Sequence, residues 1–303
     1  MNRECADDIT PDLQHYPSLE EYKARLDSIL AMNLATLSYD ELSELFYEKA
    51  ILFNQAFGVN PAAYFNLRTF FRCRFRLGEG ENPDFIRTHS YPPAVVCKEN
   101  GRANLKGRSV FYCSEYASTA ILESKPNPGD YGLMSVWQGT TTRDVKYGIC
   151  LHSELQRKNE FRQMAENIDK LMIQESAARA GDKSAHLQYL YKLVADRFVH
   201  EEYPYPFTSW ISNEMLYMSQ PKDYIIYPSV ANSQFTCNLA FHPNSADALL
   251  RFQKVWRFKL LDITGAIIKT AEHQIGELDR SHMRWRKPHA DELSQLMPNG
   301  QYR

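Results

Sequence analysis

Residues 69–76 read TFFRCRFR, in which Phe71, Cys73 and Phe75 alternate with Arg72, Arg74 and Arg76. A period of two is the signature of a strand, because successive side chains point to opposite faces. The segment therefore predicts three guanidinium groups on one side and an apolar row on the other. Two readings follow. The arginines form the solvated face of an edge strand, where charge discourages unwanted pairing, or they form an anion cradle, since the planar fork of arginine suits pyrophosphate and carboxylate oxygens. The strand alone leaves both open.

Further strand-like runs occur at 109–114, 132–139, 145–151, 224–230 and 235–242, and KVWRFKLLDI at 254–263 reads as a later one. Ahead of them, SLEE (Ser18 to Glu21) and SYDE (Ser38 to Glu41) are capping-box patterns. Leu42, Leu45, Phe46 and Phe53 follow the second at helical spacing until Gly58, which predicts the end of that helix. EYASTAILESKPNPG predicts a short helix ended by Pro126, Pro128 and Gly129, a long helical stretch spans about 153–200, and another lies near 209–219. The fold class expected is α+β: a helical N-terminal extension over 1–60, a mixed β core with helical insertions over 61–245, and a C-terminal extension over 246–303.

A formal net charge of -2 argues against a protein held directly to nucleic acid by phosphate contacts. Six cysteines without a CxxC pair read as reduced thiols, and MNRECADDIT lacks the apolar run of a signal peptide. With no apolar run long enough for a membrane span, the expected location is the cytoplasm, with no membrane contact. The nine histidines include no HExxH, so no metal site is expected. There is no Walker loop and no GxGxxG, which removes the phosphate turn of hydride-transferring NAD enzymes.

The stretch 91–124 carries the most chemistry. Gly101-Arg102-Ala103-Asn104 and Gly107 form a turn-rich loop able to bring backbone close to a ligand, followed by a strand ending near Tyr112 and a helix carrying Glu123. Taken singly, Tyr112 is a half-buried strand aromatic and Glu123 a surface carboxylate. A carboxylate near a helix C-terminus meets the unfavourable end of the dipole, so a compensating donor is expected.

FFRCR at 70–74, PP…GRAN…G from Pro92 to Gly107, FYCSEYASTAILE at 111–123 and YIIYPSVANSQFTCNLAF at 224–241 together resemble the RES-domain family, over roughly 61–245. The resemblance implies an ADP-ribosyltransferase-like fold and an enzyme that consumes NAD+ as substrate and needs no cofactor. It also implies a toxin whose partner is an Xre-type DNA-binding antitoxin. The family arginine falls on Arg72, with Arg74 the competing choice; the second arginine is Arg102, the aromatic Tyr112, the glutamate Glu123 and the serine Ser229, while Asn238 stands where the family tends to have asparagine. Asn104 belongs to the same ligand-binding loop. Two departures stand out: Ala103 where many members have Trp, and Asp223-Tyr224-Ile225 in place of the more usual Asp-Gly-Ile.

Cleaving nicotinamide from ribose develops positive charge on the sugar, which a carboxylate such as Glu123 stabilises. Tyr112 offers a ring for the cationic nicotinamide, Ser229 a hydrogen bond to ribose or amide, and Arg72 and Arg102 donors for the diphosphate. Either water or inorganic phosphate would serve as acceptor. Transferases that modify arginine in proteins typically carry an acidic residue two positions before the glutamate; here it is Ile121. A RES-like module that binds a nucleotide or partner without turnover is the remaining alternative. The basic tail at 280–289 reads as a solvated terminal segment, or else as an oligomer or antitoxin contact, and the N-terminal helices offer a surface for a homodimer.

Overall fold

The computed structural model describes residues 17–49, 57–151, 155, 158–178, 183–218, 220–265 and 267–293. Both capping boxes form: the Ser18 and Ser38 hydroxyls accept from the N–H groups of Glu21 and Glu41, and each carboxylate reaches back to the serine N–H. They open α1 (Leu19–Leu30) and α2 (Tyr39–Ser43), the latter continuing as a π-helical segment, Glu44–Lys49. Leu42, Leu45 and Phe46 are buried as their spacing predicts; Phe53 lies outside the described residues.

Gly58 does not end a helix. It lies in β1 (Phe57–Asn60), followed by α3 (Ala62–Phe65) and β2 (Thr69–Arg74). A Cβ at Gly58 would lie 2.6 Å from the Tyr147 hydroxyl, so only glycine lets this strand pair so closely over that ring. Next come β3 (Phe111–Cys113), α4 (Ala117–Glu123), β4 (Tyr131–Gly139) and β5 (Val145–Ile149). The long helical stretch resolves into α5 (Arg162–Ala178) and α6 (Lys183–His200), with α7 (Pro206–Tyr217) after them. The chain closes with β6 (Tyr224–Pro228), β7 (Cys237–Phe241), α8 (Pro243–Leu249), β8 (Leu250–Thr264), β9 (Ile267–Asp279), β10 (His282–Arg286) and α9 (Ala290–Leu293).

The strands form two five-stranded sheets, ordered β1-β5-β6-β7-β3 and β10-β9-β8-β4-β2. Pairing is antiparallel except between β5 and β6. The sheets meet where Phe71 of β2 bridges Ser114 just after β3, with N–H to O distances of 2.7 and 2.9 Å. The fold is therefore α+β, a β core dressed with helices. Three strands of the second sheet come from beyond residue 245, so the mixed core continues through the C-terminal segment. The 280–289 tail is likewise no solvated end: Met283 is buried, and the Trp285 indole donates to Asp84 Oδ1 at 2.7 Å.

Both β6 and β7 are buried at every position, so both faces of the first sheet are covered. One face (Ile225, Tyr227, Ala240 and Tyr112) packs under α1, α6 and α7. The opposite face (Phe111, Cys113, Ile226, Leu239 and Phe241) packs with Phe65, Phe70 and Trp137. Helix α4 lies on the second sheet, its Ala117, Ala120 and Ile121 against Phe71, Cys73 and Met134.

Candidate active site

Glu123 is the last residue of α4, where its charge opposes the helix dipole. Two donors compensate on one oxygen: Oε1 accepts from Ser229 Oγ at 2.6 Å and from Asn238 Nδ2 at 2.7 Å. Ser229 is fully buried and Asn238 nearly so, whereas Glu123 is exposed. Buried neutral donors thus aim an accessible carboxylate. The helix end is pinned by Ser124, whose hydroxyl meets the carbonyls of Cys73 and Ala120 at 2.9 and 2.8 Å.

One turn earlier on α4, Thr119 projects to the same side as Glu123. Its hydroxyl lies 2.6 Å from that of Thr236, and Asn232 Nδ2 donates to both, at 3.1 and 3.0 Å. The Asn232 N–H donates to Ser229 Oγ at 3.2 Å. The loop between β6 and β7 is thereby tied to α4 at two levels.

Tyr112 and Asn238 share a sheet face, since Tyr112 pairs with Ala240 and Tyr227 pairs with Asn238. The Tyr112 hydroxyl accepts from the Ala103 N–H at 2.9 Å and donates to Asn104 Oδ1 at 2.8 Å. Gly101 and Asn104 exchange main-chain hydrogen bonds of 2.9 and 3.2 Å, closing the GRAN turn over the phenol. A Cβ at Gly101 would lie 2.8 Å from the Tyr112 hydroxyl oxygen, which is why the first position is glycine. Arg102 donates from Nη1 to the carbonyls of Phe198 (2.8 Å) and Glu201 (3.1 Å), with its guanidinium 4.6 Å from the centroid of the Tyr205 ring. Tyr227 joins the two halves. Burial raises its phenol pKa; the nearby Tyr112 and Glu123 charges push the same way, and Arg102 opposes them.

The structure does not bring Arg72 or Arg74 to Glu123. Phe71 and Cys73 face α4, so the alternation turns Arg72 and Arg74 to the other side. Arg72 donates from Nε to Ser90 O (3.0 Å) and from Nη1 to Tyr112 O (3.1 Å), and lies 5.7 Å from the Phe111 ring centroid. Burial, reinforced by neighbouring Arg74, pushes its guanidinium down to about 10. Arg74 holds Glu81 with both terminal nitrogens, at 2.7 and 2.6 Å, and donates to Thr88 O at 2.9 Å. The expected diphosphate grip by these arginines is therefore corrected: they brace the 81–90 segment, and β2 presents neither a solvated cationic face nor a cradle beside Glu123. On that side lies a cleft of ≈ 1570 Å³ whose walls include Arg74, Tyr91, Trp137, Asp247 and Phe252.

Both departures from the family pattern have a place. Ala103 is fully buried, and its N–H serves Tyr112. Tyr224 is also fully buried, stacks on Tyr147 and Phe241 at 5.2 and 4.6 Å, and its hydroxyl accepts from Arg68 at 3.1 Å. Thr119, Tyr227, Asn232 and Thr236 are site neighbours not anticipated from sequence. The signal for Thr119 was its spacing of four from Glu123, and for Asn232 and Thr236 the polar turn ANSQFT.

Two joined sheets, with an aimed, exposed carboxylate at the end of α4 and a loop-locked tyrosine on one side, define an α+β protein with a candidate site at that carboxylate. The RES domain family model matches residues 75–261, and the chain belongs to that family. The matched interval holds Arg102, Tyr112, Glu123, Ser229 and Asn238, and begins just after Arg74. No curated protein matches the chain.

Proposed function

We propose that the protein consumes NAD+ by cleaving the bond between nicotinamide and ribose, as a glycohydrolase or phosphorylase on an ADP-ribosyltransferase-like fold. The observation that carries this reading is the convergence of Ser229 and Asn238 on Glu123 Oε1 from segments more than a hundred residues away.

In the reaction the C–N bond breaks and its electron pair leaves with nicotinamide, neutralising the ring. The ribose carbon becomes oxocarbenium-like, and the Glu123 carboxylate stabilises the growing charge. The Ser229 and Asn238 donors fix the carboxylate before the substrate arrives, so little reorganisation is spent at the barrier. An oxygen of water or inorganic phosphate then bonds to that carbon, and water loses its proton to solvent. Tyr112, held by Asn104 and Ala103, offers a ring to the nicotinamide. Arg102 supplies a cation for the diphosphate, through the edge of its fork not used on the Phe198 and Glu201 carbonyls. Ile121, two positions before Glu123, is fully buried against the second sheet, which speaks against a role in presenting a protein arginine.

The test is incubation of the purified protein with NAD+, with and without phosphate, followed by product analysis. Nicotinamide with ADP-ribose indicates hydrolysis, and nicotinamide with a phosphorylated ADP-ribose indicates phosphorolysis. Persistence of NAD+ in both, or full turnover by Glu123→Gln, overturns the reading.

A further inference from the structure

We propose that Asn232 is a positioning residue for Glu123, acting through the hydroxyl of Ser229. The inference rests on Glu123 being the catalytic carboxylate. It follows from counting protons around Ser229, whose hydroxyl has one hydrogen to give. Because Oγ accepts from the Asn232 N–H at 3.2 Å, that side of the oxygen is taken and the hydrogen is directed to Glu123 Oε1 at 2.6 Å.

The Asn232 main chain holds its place because the side-chain amide spends its two N–H donors on Thr119 and Thr236. Those hydroxyls are buried and bonded to each other, so they form a fixed anchor. The loop needs one. It turns through Ser233 and Gln234, consecutive non-glycine residues at φ 46 and 62, a left-handed conformation that side chains other than glycine disfavour. Further ties run from the Gln234 N–H to Ser229 O (2.7 Å), from the Ser229 N–H to Thr236 O (3.0 Å) and from Asn159 Nδ2 to Gln234 O (2.8 Å). Among these ties the Asn232 side chain reaches α4 itself, one turn from the carboxylate. One short helix therefore sets both the carboxylate and the loop that aims it.

Asn232→Ala is expected to lower kcat about 3- to 10-fold with KM within about twofold, no more than removal of the Ser229 hydroxyl it acts through. Thr119→Val, which keeps the shape and removes the hydroxyl, should move kcat the same way, and Thr119→Ser should restore it relative to the valine variant. The decisive measurement is a double-mutant cycle: in a Ser229→Ala background, Asn232→Ala should add less than about twofold, because the group it acts through is gone. A merely structural role would give multiplicative losses. The same four proteins are compared by thermal melting, where coupling between positions 229 and 232 supports the link without needing turnover. Wild-type kcat in Asn232→Ala, multiplicative losses, or additive melting shifts overturn the proposal. A wild-type protein that leaves NAD+ intact instead sinks the reaction assigned above, and the melting cycle then decides the Asn232–Ser229 link.

Discussion

Replacing Ser229 by alanine isolates one of the two bonds that aim Glu123. A hydrogen bond to a charged group contributes about 1.5–3 kcal/mol. The 2.6 Å Ser229 bond is short and its donor fully buried, which favours the upper end, but Glu123 is exposed and water can replace part of the loss. The lower end is therefore expected, about 1.5 kcal/mol, and at 1.36 kcal/mol per factor of ten this is a drop of about tenfold in kcat. Asn238 remains to hold Oε1, so activity should persist. The assay is nicotinamide release under saturating NAD+, with a melting curve to confirm folding. A change below twofold would show that the bond does not tune the carboxylate. A loss beyond a thousandfold would show that Ser229 meets the substrate directly and does more than aim Glu123.

Three other perturbations follow from the same geometry. Gly101→Ala puts a methyl 2.8 Å from the Tyr112 hydroxyl oxygen; the turn must open, raising KM for NAD+ and costing about 1–3 kcal/mol in a denaturant titration. Arg72→Ala strips the carbonyls of Ser90 and Tyr112 of a donor, so stability should fall by about 1–3 kcal/mol, and a variant with wild-type melting would refute a bracing role. Asp223 is pushed up by burial, but hydrogen bonds from Arg143, the Lys146 N–H and Ser245 outweigh this and hold its carboxyl below the ordinary 3.8. With the folded value depressed, its stabilisation is present above about pH 4 and is lost as pH falls through the folded value. Urea midpoints between pH 5 and 3 should therefore fall less steeply for Asp223→Asn than for the wild type.

What could be read from the chain beforehand divides along the range of the interactions. The capping boxes are closed within four residues, and both formed. The strands β2, β6 and β7 show themselves through short-period or fully apolar runs, and all three are present near their expected positions. A glycine after an apolar helix pattern reads as a stop, but the reason for Gly58 is the Tyr147 ring on a strand about ninety residues away. The hairpin of β9 and β10 hides from sequence for a similar cause. Met283 and Trp285 in β10 mix with arginines and histidine, and the indole finds its acceptor, Asp84, two hundred residues upstream.

Range of interaction also separates the donor expected at Glu123 from the face taken by the arginine row. A carboxylate closing a helix calls for a donor on elementary electrostatic grounds, whatever the fold, and Ser229 and Asn238 supply two. Alternation in TFFRCRFR puts Arg72 and Arg74 on one face of β2, which ends before exposed Arg76, yet nothing local says which face looks toward the site. That choice is made by α4 packing on Phe71 and Cys73 and by the bridge from Phe71 to Ser114, which aligns the two sheets. Once that bridge exists, Tyr112 and Asn238 lie on the side of α4, and Arg72 must lie on the other. Arg102 is a cation on the site's side, already engaged by main-chain carbonyls at the end of α6. Substrate that recruits Arg102 must therefore compete with those carbonyls or share the fork with them. Arg102→Lys, with a point charge in place of a planar fork, should accordingly weaken NAD+ binding far more than it lowers kcat, as read from KM and kcat measured together.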